Sequence, residues 1–306
     1  MPRHRVAAID CGTNSIRLLV TDLGDDHKTD VIREMRVVRL GQGVDETGRL
    51  ADEAIARTLQ ASREYAELIA TFGATETRFC ATSAVRDADN AEEFGDQVEA
   101  VLGVRPEVLA GEDEAAASFL GATRDLGPGR TAVVDIGGGS TEIVVGDGVD
   151  LEFAVSFDVG SVRLTERFLH SDPASINEVA DCMTYLDGLL GPQLRDIAPV
   201  ERFVGVAGTV TTVAAHALDL PSYDSEAIHG ADISLETVEG ACVSLAQMSV
   251  ADRRHLPYMH PGRADVIGAG ALILDRVVAL LPSATDTMTI SEQDILDGIA
   301  WGMRAS

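Results

Sequence analysis

Residues Arg130 to Asp147 read R-T-A-V-V-D-I-G-G-G-S-T-E-I-V-V-G-D. A short apolar run, Ala132 to Val134, ends on Asp135, passes three glycines and Ser140-Thr141-Glu142, and resumes as Ile143-Val144-Val145. Two strands joined by a glycine tip make a β-hairpin. With no side chains at Gly137, Gly138 and Gly139, the backbone N–H groups of the tip are open to approach, the arrangement that wraps an anion such as phosphate. Asp135, at the end of the first strand, is then placed to hold a divalent cation against that phosphate, because Mg²⁺ takes oxygen ligands and keeps some of its waters.

The same design opens the chain. Arg5 to Asp22 reads R-V-A-A-I-D-C-G-T-N-S-I-R-L-L-V-T-D, and a shift of 125 positions lays Asp10 on Asp135, Gly12 on Gly137, Ser15 on Ser140 and Asp22 on Asp147 without a gap. A motif repeated at domain spacing indicates an internal duplication. The expectation is two halves facing each other across a cleft, with both loops and both aspartates converging on it.

The intervening chain supports this. Strands are expected at Val6–Ile9, Ile16–Asp22 and Val31–Leu40, then a helix from Asp52 to Phe72 with Ile55, Leu59, Ala66 and Ile69 at helical spacing and Gly73 to stop it. Strands near Glu76–Cys80 and Glu107–Leu109 alternate with a helix capped at Asn90 and another running to Thr123. Alternation of this kind marks an α/β sheet, in which ligands bind beyond the carboxyl ends of strands. Asp125-Leu126-Gly127-Pro128-Gly129 breaks both helix and strand and sets the domain division, 1–124 and 125–306. The second half repeats the hairpin and adds a third strand near Leu151–Phe157. It continues with a short helix after Gly160-Ser161, a helix opened by Asp172-Pro173, a strand at Phe203–Val206 and a long apolar helix from Gly262. Its last helix, about 291–303, carries Ile295, Ile299 and Trp301 and is expected to pack back on the first domain.

Composition narrows the function. At 306 residues with a formal charge of −26 and a pI near 4.4, the surface repels nucleic acid and anionic membranes. The basic start, Met1-Pro2-Arg3-His4-Arg5, leads into an apolar run broken at Asp10, and no stretch spans a bilayer, so a cytoplasmic location is expected. The four cysteines are widely spaced, which argues against a structural zinc or a disulfide framework, and Cys11 reads as a buried thiol. Lys28 is the only lysine, so cationic side chains at a phosphate site must be arginines, and a Walker-type loop is absent.

Five blocks, Asp10-Cys11-Gly12-Thr13-Asn14-Ser15, Ala81 to Ala88, Gly111-Glu112-Asp113-Glu114-Ala115, Asp135 to Glu142 and Gly208-Thr209-Val210-Thr211-Thr212, stand in order along the chain. Taken together they resemble the exopolyphosphatase and guanosine pentaphosphate phosphohydrolase family. The resemblance spans nearly the whole chain and implies two duplicated actin-like (ribonuclease H-like) α/β domains. It implies a metal-dependent phosphoanhydride hydrolase that releases orthophosphate from the end of polyphosphate, or the 5′ γ-phosphate of guanosine pentaphosphate, without a covalent intermediate. Glu114, by resemblance, positions and deprotonates the water, and Glu142 lies near the metal or that water.

Catalytic candidates are therefore Glu114, Glu142 and Asp135, and metal candidates Asp10, Asp135 and Glu142, for Mg²⁺ or Mn²⁺. Phosphate contacts are expected from Gly12, Thr13, Asn14, Ser15, Arg86, Gly137, Gly138, Gly139, Ser140, Thr141, Gly208 and Thr209. Arg86 would clamp phosphate oxygens through its planar donor fork, and Arg17 and Arg263 are weaker candidates. Two other classes stay open: an actin-like kinase using ATP, and a non-catalytic sensor of polyphosphate or an alarmone. Relatives of the fold often dimerise, which adds a homodimer to the expectations.

Overall fold

Each half is organised around its opening hairpin, because that hairpin supplies the central strands of its sheet. The computed structural model describes residues 4–25, 27–148 and 150–304; the first three residues of the basic start lie outside them. The chain divides into two units, Met1–Gly121 with Asp294–Ser306, and Ala122–Gln293.

The first unit runs β1 (His4–Cys11), β2 (Ser15–Leu23), β3 (Lys28–Val37), α1 (Val44–Thr47), α2 (Asp52–Phe72), β4 (Glu76–Ala81), α3 (Ser83–Arg86), α4 (Ala91–Leu102), β5 (Glu107–Val108) and α5 (Gly111–Thr123). The second runs β6 (Thr131–Ile136), β7 (Thr141–Asp147), β8 (Asp150–Phe157), α6 (Ser161–Phe168), α7 (Ile176–Leu194), β9 (Arg202–Val206), α8 (Ala207–Ala217), α9 (Ser225–Ile228), β10 (Asp232–Ser234), α10 (Leu235–Gln247), α11 (Val250–Arg254), α12 (Ile267–Leu280) and β11 (Thr287–Ile290). The chain then returns to the first unit as α13 (Ile295–Trp301).

Strand order confirms the duplication. The first sheet is β3-β2-β1-β4-β5; the second is β10-β11-β9-β6-β7-β8, which read backwards is the same order with β10 added at the edge. In both, the second strand is antiparallel to its neighbours and the first is parallel to the strand following the first crossover. The repeat extends to a defect: the β2–β3 ladder shifts register between Val20 and Thr21, and the β7–β8 ladder between Val145 and Gly146, the same positions under the 125-residue shift. A bulge kept at one place in both copies is a feature of the design.

Period-2 alternation assigns each face. On β1, Ala7, Ile9 and Cys11 join the core under α2 and α4, whereas Val6 and Ala8 point to the opposite face, where Leu296, Ile299, Ala300 and Trp301 of α13 cover them. Asp10 continues the Val6–Ala8 series and so lies on the α13 side. On β6, Ala132, Val134 and Ile136 enter the large core of the second unit, and Asp135 takes the other face.

Three sequence expectations change. Asn90 makes no capping bond at α4; its carboxamide pairs with both backbone groups of Leu50, at 2.9 and 3.0 Å, a match for a peptide group. The cap of α7 is Ser175, in a capping box with Glu178, while Asp172 accepts from Val250 N at 2.8 Å. The apolar helix starts at Ile267 because residues 261–266 close in turns such as Val266 N to Arg263 O, 3.0 Å.

α5 and α13 meet through glycine. A Cβ on Gly298 would lie 1.9 Å from Ala117 O, and one on Gly121 would lie 1.9 Å from Asp294 O. Backbone blocks both positions, so relief would require moving a helix. Gly298→Ala is expected to lower unfolding free energy by about 1–3 kcal/mol, the usual cost of overpacking, which denaturant titration would show as a lower midpoint with an unchanged slope.

Candidate functional site

In the first unit three loops leave adjacent strand ends. β1 and β4 are paired to Cys11 and Ala81, and β4 and β5 to Ala81 and Val108. The segments after them therefore start side by side at the carboxyl edge of the sheet. They carry Gly12 to Asn14, Thr82 to Arg86 and Gly111 to Glu114.

The first loop is tight, with Gly12 N donating to Ser15 O at 2.9 Å. The segment after β3 holds it from one side: Asn14 O accepts from Val38 N and Arg39 N at 3.0 and 2.8 Å, and Thr13 O accepts from Gly41 N at 2.9 Å. Gly41 has to be glycine, because a Cβ would sit 2.3 Å from Thr13 Cγ2. The Thr13 hydroxyl is buried and shares a hydrogen bond with Ser83 Oγ at 3.0 Å.

Of the three acids opening α5, only Glu114 is buried, at 7 % exposure; Glu112 and Asp113 are exposed. A solvated acidic first turn would expose all three. Arg86, at the end of α3, donates from Nη1 to Glu114 Oε2 at 3.1 Å and to Leu109 O at 3.0 Å. Two residues assigned to different tasks from sequence, phosphate clamping and water activation, are thus hydrogen-bonded neighbours. The helix N-terminus further favours a carboxylate here.

Asp10 lies directly opposite Arg17 in the β1–β2 register. Its Oδ2 accepts from Arg17 Nε at 2.9 Å and Nη2 at 2.6 Å, and Arg17 Nη1 bonds Asp294. Burial opposes the charge of Arg17, but Asp294 and Asp10 outweigh it and keep its pKa well above the ordinary arginine value.

The second unit repeats the geometry with different charges. Asp135 lies opposite Glu142, and Glu142 opposite Ser156, so the three form a row across β6, β7 and β8. Ser156 Oγ donates to Glu142 Oε1 at 2.6 Å. Both carboxylates are buried. Where the first hairpin sets an aspartate against an arginine, the second sets it against a glutamate.

The glycine tip is anchored by its carbonyls. Gly137 N donates to Ser140 O at 3.0 Å, the counterpart of the Gly12–Ser15 bond. Gly137 O accepts from Ser161 N at 2.9 Å, and Gly138 O accepts from Val162 N and Arg163 N at 2.9 and 3.2 Å. The tip therefore caps the start of α6. In a planar trans peptide the C=O and the following N–H point opposite ways. The N–H groups of Gly138 and Gly139 consequently turn away from α6, offering the donors an anion needs. Gly160 permits this contact, since a Cβ there would lie 2.4 Å from Gly138 C. The Thr141 hydroxyl donates to Val159 O at 2.6 Å.

β9 runs beside β6, with Val206 opposite Asp135. It delivers Ala207, at φ 66, and Gly208 and Thr209 at the start of α8. Gly208 lies under Arg263, whose Nη2 would be 2.3 Å from a Cβ. Thr212 Oγ1 donates to Gly208 O at 2.6 Å.

Among the described residues, no group of three or more His, Cys, Asp or Glu is arranged as a metal site. The Asp135–Glu142 pair is the arrangement that fits a hard cation: two carboxylates in register on one sheet face suit Mg²⁺, which is usually held by one or two carboxylates with water and substrate oxygens. All four cysteines are free and buried, and burial raises the thiol pKa of Cys80 and Cys182 to about 12 and that of Cys11 further, which fits packing and not nucleophilic work. No helix among the described residues is long and apolar enough to cross a membrane. The amino-acid order places Asp294 in the stretch that caps the last helix but does not bring it to Arg17, nor Ser156 to Glu142; cross-strand register and the return of the chain do.

Comparison with known proteins gives a consistent result. The family described as the Ppx/GppA phosphatase family matches residues 19–305. "Exopolyphosphatase 2" of Mycobacterium tuberculosis is 47 % identical over 316 residues, covering 98 % of each chain. The crystal structure of an exopolyphosphatase-like protein superposes with a TM-score of 0.90 at 43 % identity, covering 97 % of this chain and 98 % of the other. That of the Aquifex aeolicus family member gives 0.84 at 32 % identity over 100 % of both.

The contact between Gly160 and the glycine tip carries a test. Gly160→Ala is expected to displace the tip and lower the rate of phosphate release by about 10²-fold, the scale set by an ångström of misplacement, with the unfolding transition retained. Release at the wild-type rate would show that the tip does not handle phosphate.

Proposed function

This chain belongs to the Ppx/GppA phosphatase family of phosphoanhydride hydrolases, and we propose that it releases orthophosphate from the end of inorganic polyphosphate, with Glu114 as the general base. Phosphoanhydride hydrolysis asks a protein to hold the terminal phosphoryl group, offset its charge and aim a water at phosphorus.

The observation that carries the assignment of Glu114 is its burial beside Arg86 at the carboxyl edge of the first sheet, while its two acidic neighbours are exposed. A buried carboxylate within reach of a phosphate-binding guanidinium can take a proton from a water held at that phosphate. Arg86 presents a planar fork of donors, of which Nη1 is turned to Glu114 and Leu109. In this reading the fork donates to the terminal phosphate oxygens while holding Glu114 in place.

In the first unit the loop opened by Gly12 and closed by Ser15, and in the second the tip Gly137 to Ser140 with Gly208-Thr209, supply N–H donors to phosphate. Thr13 and Thr141 contribute through their backbone, since their hydroxyls bond Ser83 and Val159 O. Asp135 and Glu142 would hold Mg²⁺ or Mn²⁺, which when bound neutralises phosphate charge. Ser156 fixes the Glu142 carboxylate for that task. Asp10, whose Oδ2 is taken up by Arg17, orders water at the phosphate instead of completing the metal shell. Local donors and a bound cation allow a polyanion to be held by a protein of charge −26.

The test is phosphate release from short-chain polyphosphate, long-chain polyphosphate, guanosine pentaphosphate and ATP with Mg²⁺ or Mn²⁺. Wild type should favour polyphosphate, and Glu114→Gln should lose about 10²–10⁴-fold in kcat while still binding polyphosphate. Turnover insensitive to Glu114, or preference for guanosine pentaphosphate or ATP, would overturn the assignment.

A further inference from the structure

Arg17 has no counterpart in the second hairpin. Where the shift of 125 residues places Glu142, the first hairpin has an arginine whose fork is shared: Nε and Nη2 on Asp10 Oδ2, Nη1 on Asp294. Both aspartates are buried, Asp10 at 5 % and Asp294 at 3 % exposure. Burial of the two acids, with Arg17 partly buried between them, makes the arrangement costly unless the geometry is held.

Asp294 is well placed to hold it. It is the N-cap of α13, where Oδ1 accepts from Leu296 N at 3.0 Å, and its own N donates to Asp297 Oδ2 at 2.9 Å in a capping box. Asp297, wholly buried, receives Lys28 Nζ at 2.8 Å and Arg33 Nη2 at 2.5 Å, which anchors the helix start to β3. The Asp294 carbonyl abuts Gly121 of α5, the helix that begins with the Glu114 turn. One residue therefore touches the end of α5, caps α13 and grips Arg17.

We propose that Arg17 and Asp294 form a positioning relay for the reaction: Asp294, fixed by the α13 capping box, sets the orientation of Arg17, and Arg17 sets the orientation of the Asp10 carboxylate. The inference rests on the reading above that places Asp10 at the phosphate. It gives the returning segment at the end of the chain a role in turnover as well as in stability. The first hairpin accordingly uses its opposite position to orient an acid, and the second uses it to add a ligand.

Asparagine at 294 separates the two roles, since its side-chain oxygen still caps the helix while the charge that draws Arg17 is gone. Asp294→Asn should lower kcat for phosphate release about tenfold with KM within about twofold, a loss confined to turnover. On an Arg17→Met background the same change should alter kcat by less than about twofold, because residues acting through one contact are not additive. Arg33→Met, which removes one of the two cations on Asp297 while Lys28 and the Asp294 capping box remain, should lower Tm and leave kcat within about twofold. Should Arg17→Met fail to fold, the contrast between Asp294→Asn and Arg33→Met decides alone. Unchanged kcat in Asp294→Asn, additive losses, or an equal loss in Arg33→Met would overturn the relay. Asp10→Asn separates this failure from failure of the underlying reading: full turnover in that variant would overturn the placement of Asp10 itself, whereas its loss with an active Asp294→Asn would overturn only the relay.

Discussion

Cross-strand register in two antiparallel hairpins is the constraint on which the rest of the molecule depends. In each unit the first strand carries an aspartate one residue before its end, and pairing puts one particular residue opposite it: Arg17 against Asp10, Glu142 against Asp135. A slip of one residue would turn every side chain of the strand to the other face, moving these acids into the apolar core and the core residues out. The matching bulges after Val20 and Val145 show that the two copies share the pairing in detail. With that geometry common to both, what differs is charge. One hairpin sets an arginine against its aspartate, and the other sets a second carboxylate there.

The loops at the strand ends are held through their carbonyls, which is why glycine is needed close by as well as in the loops. Gly41 lets its segment lie against Thr13, and Gly160 lets α6 begin against Gly138. In each case the carbonyls of a tip are engaged from behind. Donors are then displayed by the planarity of the peptide, without a charged side chain in the loop. In the proposed function, such donors let a chain with a single lysine and a formal charge of −26 handle phosphate. Many of the acids that would repel a polyanion are on the exterior, and of the buried ones Asp10 and Glu114 are paired with arginines and Glu142 is bonded to a hydroxyl.

Much of this was readable from the amino-acid order. The duplication, the hairpins, the α/β alternation and the long helix Asp52–Phe72 follow from glycine spacing and apolar periodicity, both of which are local signals. The family followed from five short blocks in register. What the sequence hid depends on contacts between distant residues. Asn90 stands at the start of α4 but spends its carboxamide on Leu50 and not on a capping bond; Ser175 caps α7 in place of Asp172. Strands β10 and β11, of three and four residues, are too short for periodicity to reveal; β11 forms because β9 offers an edge to pair with, and β10 because β11 then offers the next. The roles of Ser156 and Asp294 arise only when β8 lies beside β7 and the chain returns to the first unit.

The most direct test of the division of labour between the hairpins is Mn²⁺ binding to the whole protein, titrated and followed by electron paramagnetic resonance. Asp135→Asn and Glu142→Gln should each weaken binding by at least about tenfold, while Asp10→Asn stays within about twofold of wild type. Equal weakening in Asp10→Asn, or full affinity in Glu142→Gln, would show that the opposite residue does not decide where the cation is held.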